Sequence, residues 1–480
     1  MSILVVDIGT SSVRALVVRP DASLDAETAQ PLLPNTPAPG LVEFDANAMA
    51  DAILSVAEAS LSRAGPVEGV GIANQRASTI VWDRTTGEPV GPGLGWQDLR
   101  TVGECLVHQA NGLRFAPNES ATKAELLWNQ ADPDRARELL FGTVDTWAAW
   151  VLSAGSLHVT DATNAGLTGL YSPTAEGWSS TVLDALSIPA EAMPTVVDST
   201  GVAGTADALE GAPPIAGIAG DQQASLIGQG CVRPGQAKCT FGTGGMLDLV
   251  LGPDRPDIDK RSPHGTFPVI TWRRDGEVTW GLEAVMLAAG TNVEWLRDDL
   301  GLIDTATASH DLAASCDDTD GVVFVPDLLG AGTPEWDFGA RGGLFGLTRG
   351  TEARHVTRAV LEGVAMRARD LLDAIEADAG RPVERLRIDG GMSENPTFAQ
   401  AVADAMGRPI ELAPVKEATA LGAGFLAGMA VGTWQGWDDV ADAWAPRATV
   451  EPATEPDRDR WRRAVERAGQ WHGDLSALDF

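Results

Sequence analysis

A carboxylate and two amides stand in the middle of a glycine-rich, apolar run. Asp221, Gln222 and Gln223 occur in GIAGDQQASLIGQG, residues 217–230. A surface turn would account for the cluster, because Gly and Asp are common in turns. A carboxylate aimed at a reacting group from a strand end is the second account, which the rest of the chain must support. The preceding PPIAGIAG reads as a buried strand that ends in a tight turn.

A second set of chemistry-bearing residues lies in ILVVDIGTSSVRALVV, residues 3–18. Ile3 to Val6 is a strand pattern, Asp7 to Ser12 a turn, and Val13 to Val18 a returning strand. The turn gathers Asp7, Thr10, Ser11 and Ser12 around Gly9. Backbone amides and hydroxyls suit phosphate oxygens, and a carboxylate suits Mg²⁺. A plain β-hairpin is the simpler account of this turn taken alone. The arrangement recurs in QAKCTFGTGGMLDLVL, residues 236–251, where Gly242-Thr243-Gly244-Gly245 joins two strand patterns. Two such hairpins, almost half the chain apart, predict a duplicated fold with a cleft between the copies.

The elements that must position these turns follow the same alternation. In RLRIDGGMSENPTFAQAVADAMGRPIEL, residues 385–412, a strand to Ile388 meets Asp389-Gly390-Gly391. A helix then starts at Asn395-Pro396, with Phe398, Val402 and Met406 at helical spacing. Paired glycines between strand and helix let a flat ligand approach the backbone; an ordinary strand-to-helix loop fits them too. EATALGAGFLAGMAVG, residues 417–432, predicts a helix of small residues packed closely on a neighbour.

The 480 residues exceed one ordinary hydrophobic core, so two domains are expected, over 1–228 and 229–480. A net charge of −32 with no basic cluster excludes a nucleic-acid partner. No apolar run is long enough for a membrane span, and MSILVVDIGTSS lacks the basic start of a signal peptide. Cys105, Cys231, Cys239 and Cys316 show no CxxC spacing, and the six histidines form no HxxH pair. A zinc site or disulfide framework is therefore not expected, and a cytoplasmic location is. Lysine is scarce: Lys123, Lys238, Lys260 and Lys416 are the only four.

These segments together resemble the FGGY family of carbohydrate kinases, most closely its glycerol-phosphorylating branch. GIANQRASTIVWDRTTGEPVG, LFGTVDTWAAW, HVTDATNAG and GIAGDQQASLIGQ match in order. So do GLEAVMLAAGTNVEWLRD, PEWDFGARGGLFGLTRG, DGGMSEN and EATALGAGFLAG. The resemblance implies an α/β protein with the actin-like ATPase (ribonuclease H-like) fold, two duplicated domains closing on ATP and a polyol. It implies Asp221 as the general base that takes the acceptor's hydroxyl proton, a role suited to phosphoryl transfer. It implies Arg76, Trp96, Asp221 and Gln222 as acceptor-binding residues, with Arg76 donating two bonds to hydroxyl oxygens. Asp7, with Asp221 beside it, would hold Mg²⁺. Thr10, Ser11, Ser12 and Arg14 would face the transferring phosphate, and Thr243 the β- and γ-phosphates. Gly290, Gly391 and Asn395 would meet the nucleotide, with Glu294 where the family usually has Gln. A homodimer or homotetramer is implied as well.

Three departures fall in the acceptor pocket. Ala77 in NQRAS replaces an acidic residue, Asn118 in APNESATK replaces a tyrosine, and Leu287 replaces an aromatic residue. The approach EGAPPIAG also lacks the GGTR loop through which some members bind a sugar bisphosphate. The expected activity is ATP-dependent phosphorylation of a small polyol or sugar, glycerol first, narrowly ahead of a larger polyol or ketose. An actin-like ATPase acting on a protein partner fits the hairpins but not NQR, Trp96 and Asp221-Gln222. A nucleotide-binding pseudokinase is disfavoured by Asp7, Thr243 and Asp221.

Overall fold

The computed structural model of the protein describes residues 1–132 and 138–480. The first sheet contains β1 (Ile3–Ile8), β2 (Ser12–Val18), β3 (Leu24–Pro31), β4 (Gly69–Asn74), β5 (Thr200–Thr205) and β6 (Pro214–Gly220), in the order β5-β6-β4-β1-β2-β3. The second contains β7 (Ala237–Phe241), β8 (Gly245–Gly252), β9 (Phe267–Arg274), β10 (Glu277–Met286), β11 (Leu386–Asp389), β12 (Ile410–Leu412) and β13 (Ala448–Val450). Its order is β9-β10-β8-β7-β11-β12-β13.

Both sheets are built to one plan. An antiparallel hairpin, β1–β2 or β7–β8, occupies the middle. Strands β4 and β6 add in parallel on one side of the first sheet, as β11 and β12 do in the second. An antiparallel edge strand, β5 or β13, ends each series. The repetition expected from the two glycine turns therefore extends to the topology around them. Strand β1 is buried along its whole length, as a central strand covered on both faces should be.

Helix α1 (Ala46–Ala64) covers one face of the first sheet and is capped by Asp45, whose side chain accepts from the N–H groups of Asn47 and Ala48. Helix α2 (Asp221–Gly228) follows β6 directly, so Asp221 opens a helix rather than a turn. Helices α3 (Ala353–Ala379) and α4 (Pro396–Met406) pack on the second sheet, with Phe398, Val402 and Met406 buried as their spacing predicts.

Helix α5 (Ala418–Val431) is apolar all round and packs against the first sheet and α2. Its glycines bring backbones into contact. A Cβ on Gly422 would collide with the Ala224 carbonyl and the Gly228 amide, and one on Gly228 with the Ala418 carbonyl. This contact fixes how the two halves meet beside Asp221.

Candidate active site

The first hairpin turn is closed by the Gly9 N–H on Ser12 O at 2.9 Å. Asp7 and Arg14 face each other across it, with Arg14 Nε 3.5 Å from Asp7 Oδ2. The other end of Arg14 pairs with Glu417, the residue that precedes α5. Burial pushes the Asp7 carboxyl up to about 7; Arg14 opposes the shift, while the negative charges of Asp221 and Glu417 add to it. Three carboxylates and one guanidinium thus share one small region. Ser11 is exposed beside it, and Thr10 and Ser12 are half-buried.

The second hairpin turn is fastened to residues 289–291. Gly242 O accepts from Gly290 N at 2.8 Å, and Thr243 O accepts from Ala289 N at 2.8 Å and from Thr291 Oγ1 at 3.0 Å. A Cβ on Gly290 would stand 2.6 Å from Gly242 O, so only glycine permits this approach. The Thr243 side chain is exposed and makes no hydrogen bond among the described residues, which leaves its hydroxyl free for a phosphate. Glu294 is exposed at the end of the short helix Gly290–Glu294.

Behind this turn, Gly390 takes φ +86° against the Phe241 backbone, where a Cβ would clash. At Gly391 a Cβ would meet nothing within 4 Å, so the backbone is open to a flat ligand. Asn395 serves the fold itself. Its side chain accepts from Thr397 N and Phe398 N to cap α4, and its Nδ2 donates to Ser309 Oγ at 3.0 Å.

On the acceptor side Asp221 is 30 % exposed, with Oδ1 3.4 Å from Arg76 Nε. Burial raises the Asp221 carboxyl above its ordinary value, and Arg76 and Lys238 oppose the shift. Arg76 differs from its expected use. Its Nη1 and Nη2 form a bidentate pair with Glu283, at 2.6 and 2.9 Å, and Nη1 also reaches Gln223 Oε1 at 3.4 Å. Most of its donors are therefore held by protein, because a buried guanidinium needs a carboxylate to offset its desolvation. Gln222 Oε1 accepts from Lys238 Nζ at 2.5 Å.

Trp96 donates from Nε1 to Thr10 Oγ1 at 3.1 Å, and its backbone N–H donates to Ser78 Oγ at 3.0 Å. The fully buried Lys123 donates to the carbonyl of the neighbouring Gly95 at 2.8 Å, and burial pushes its ammonium down to about 7. Ala77 is buried with φ +59°, and its carbonyl accepts from Ser120 Oγ at 3.1 Å. Leu287 is half-buried beside the second hairpin. Asn118 is exposed and has no hydrogen-bond partner among the described residues.

Glu283, Lys238, Lys123 and Glu417 were not singled out by residue type and spacing. Two signals pointed to the first pair: the one acid in the run 278–286, and one of only four lysines in the strand AKCTF.

Among the described residues no group of three His, Cys, Asp or Glu side chains could hold a metal ion by itself. Asp7 and Asp221 nevertheless fit Mg²⁺, which takes one or two carboxylates together with substrate phosphates and water. A carboxylate raised by burial, with neighbouring negative charge adding to the shift, is the donor a cation would relieve.

The FGGY family of carbohydrate kinases, N-terminal domain, matches residues 2–228, and its C-terminal domain matches 237–431. The chain is 42 % identical to a glycerol kinase of Aromatoleum aromaticum over 98 % of this chain and 99 % of that one. It is also 42 % identical to a glycerol kinase of Halorhodospira halophila, over 98 % and 97 %. The crystal structure of Plasmodium falciparum glycerol kinase with ADP superposes with a TM-score of 0.88 at 27 % identity, covering 100 % of this chain and 99 % of that one. A xylulose kinase from Lactobacillus acidophilus, 19 % identical, shares the fold with a TM-score of 0.85 over 99 % and 98 %.

Proposed function

The chain belongs to the FGGY family of carbohydrate kinases, and on that footing we propose that it transfers the γ-phosphoryl group of ATP to glycerol, giving glycerol 3-phosphate. It is an ATP-dependent kinase with the actin-like ATPase fold. The observation that carries the reading is the position of Asp221. It opens α2 with its carboxylate against Arg76 Nε, and its charge is felt at Asp7 beneath the first hairpin. An acceptor held there would lie between a base and the phosphate-binding turns.

In this account residues 1–228 bind the acceptor and residues 229–480 bind the nucleotide. The acceptor rests on Trp96, with Gln222 and the Arg76 edge beside it. Asp221 accepts the hydroxyl proton as the oxygen attacks the γ-phosphorus. Ser11 and the first-turn amides face the transferring group, and Arg14 leaves Glu417 to do so. The Thr243 hydroxyl meets the β- and γ-phosphates, and the ring system lies over Gly391. Asp7 and Asp221 would hold Mg²⁺, which would supply charge neutralisation for the transferring phosphoryl group. Among the described residues no helix is long and apolar enough to cross a membrane; we place the enzyme in the cytoplasm, with its ATP, as a homodimer or homotetramer.

Ala77, Asn118 and Leu287 make the acceptor's size the point to test. ADP formation coupled to NADH oxidation, run with glycerol, erythritol, xylitol and a ketopentose, decides it. Glycerol should give the highest kcat/KM. A larger polyol or ketose ahead by tenfold would overturn the choice of acceptor, and no acceptor-dependent turnover at all would overturn the kinase reading.

A further inference from the structure

The middle of the second sheet carries a row of ionisable residues among buried apolar neighbours. Lys238 on β7, Asp248 on β8 and Glu283 on β10 are direct cross-strand partners, in the register Lys238↔Asp248↔Glu283. All three side chains are at most 2 % exposed. Lys238 Nζ lies 2.8 Å from Asp248 Oδ2, and Glu283 turns to Arg76. The series Lys238, Asp248, Glu283, Arg76 sets two basic groups beside two acidic ones inside the protein; burial pushes the Asp248 carboxyl up to about 7, with Lys238 opposing the shift and Glu283 adding to it.

Desolvating such a row of ionisable groups is costly, and apolar residues of similar size often stabilise a core as well or better. The row therefore needs a reason beyond stability. Its outward contacts supply one. From the second sheet, Lys238 holds Gln222 Oε1 and Glu283 holds both Nη groups of Arg76. Gln222 and Arg76 belong to the first half of the chain and flank Asp221. The row also lies close below the second hairpin, since Lys238 sits on the strand that runs into Gly242-Thr243.

We propose that Lys238, Asp248 and Glu283 are positioning residues for the acceptor: the row orients Gln222 and Arg76 only when the second sheet is seated against the first. This rests on the kinase reading above and adds residues to it. A lobe carrying the nucleotide thereby completes the acceptor's binding groups. Glu283 fixes the plane of the guanidinium, which leaves its Nε edge toward Asp221. Lys238 fixes the Gln222 amide with its oxygen inward and its NH₂ group free to donate.

Two variants test the proposal with glycerol and MgATP. Glu283→Gln keeps the shape and removes the charge that holds Arg76. Lys238→Gln combined with Asp248→Asn removes a neutral pair together, which spares the core an unpaired charge. Breaking a buried, hydrogen-bonded charge pair at a binding surface costs about 30-fold or more in affinity. Each variant should therefore raise the KM for glycerol by at least about tenfold. The KM for ATP and the slow hydrolysis of ATP without acceptor should stay within about twofold of wild type. A glycerol KM left unchanged, or a KM for ATP that rises in step with it, would overturn the proposal. If Glu283→Gln does not fold, the neutral double variant decides alone. Wild-type protein that phosphorylates no acceptor would instead defeat the underlying kinase reading.

Discussion

The indole of Trp96 donates to Thr10 Oγ1 at 3.1 Å, so the residue we propose as the acceptor's wall is tied directly to the first hairpin turn. The two residues come from segments with no sequence relation, and in the proposed reading this one hydrogen bond links the acceptor side of the site to its phosphate side. Thr10→Val removes the bond and keeps the shape. Losing one such half-buried hydrogen bond costs about 1 kcal/mol, or roughly fivefold. We expect kcat/KM for glycerol to fall by about that factor, and the KM for glycerol to rise. A change confined to the KM for ATP would show that Thr10 serves the nucleotide alone.

The backbone contact of α2 with α5 predicts a different kind of failure. Gly422→Ala puts a methyl group into the Ala224 carbonyl, where neither helix has a flexible side chain to yield. Overpacking of this sort costs about 1–3 kcal/mol. The denaturant midpoint should drop accordingly, and activity should suffer because α2 carries Asp221. Unaltered stability would mean the helices can separate without cost.

Much of this architecture is legible in the sequence alone. Both glycine turns, the strand and helix around Asp389-Gly390-Gly391, and the small-residue helix at 418–431 stand where local pattern puts them. Each is specified within a dozen residues, by alternation, turn chemistry or helical spacing. Arg76 is singled out by the sequence, but its pairing is not legible there, because Glu283 lies 207 positions away and meets it only when the halves assemble. The same holds for Arg14 with Glu417, 403 positions apart, whereas the capping role of Asn395 is local and follows from the helix start at Asn395-Pro396. Asp221 reads as the end of a strand; the structure adds that it starts a helix, which aims its side chain back from the first turn.

Lys123 makes stability depend on pH with a definite sign. Burial holds its folded pKa at about 7, against 10.5 in the unfolded chain. Between those values the unfolded chain binds a proton that the folded one does not, so stability rises with pH across that window. Lys123→Met removes this contribution. Thermal melts from pH ~7 to ~10 should show the wild type gaining on the variant as pH increases. Parallel curves would place the ammonium in contact with water.

The central claim is that Asp221 takes the proton from the acceptor. Asp221→Asn preserves size and the start of α2 but cannot accept a proton, and general-base catalysis contributes about 10²–10⁴-fold. The measurement is kcat for glycerol phosphorylation at saturating MgATP, in wild type and Asp221→Asn, with ATP affinity checked by calorimetry. The account predicts a fall of at least about 10²-fold in kcat with ATP affinity within a few-fold of wild type. Turnover near the wild-type rate in the folded variant would contradict it.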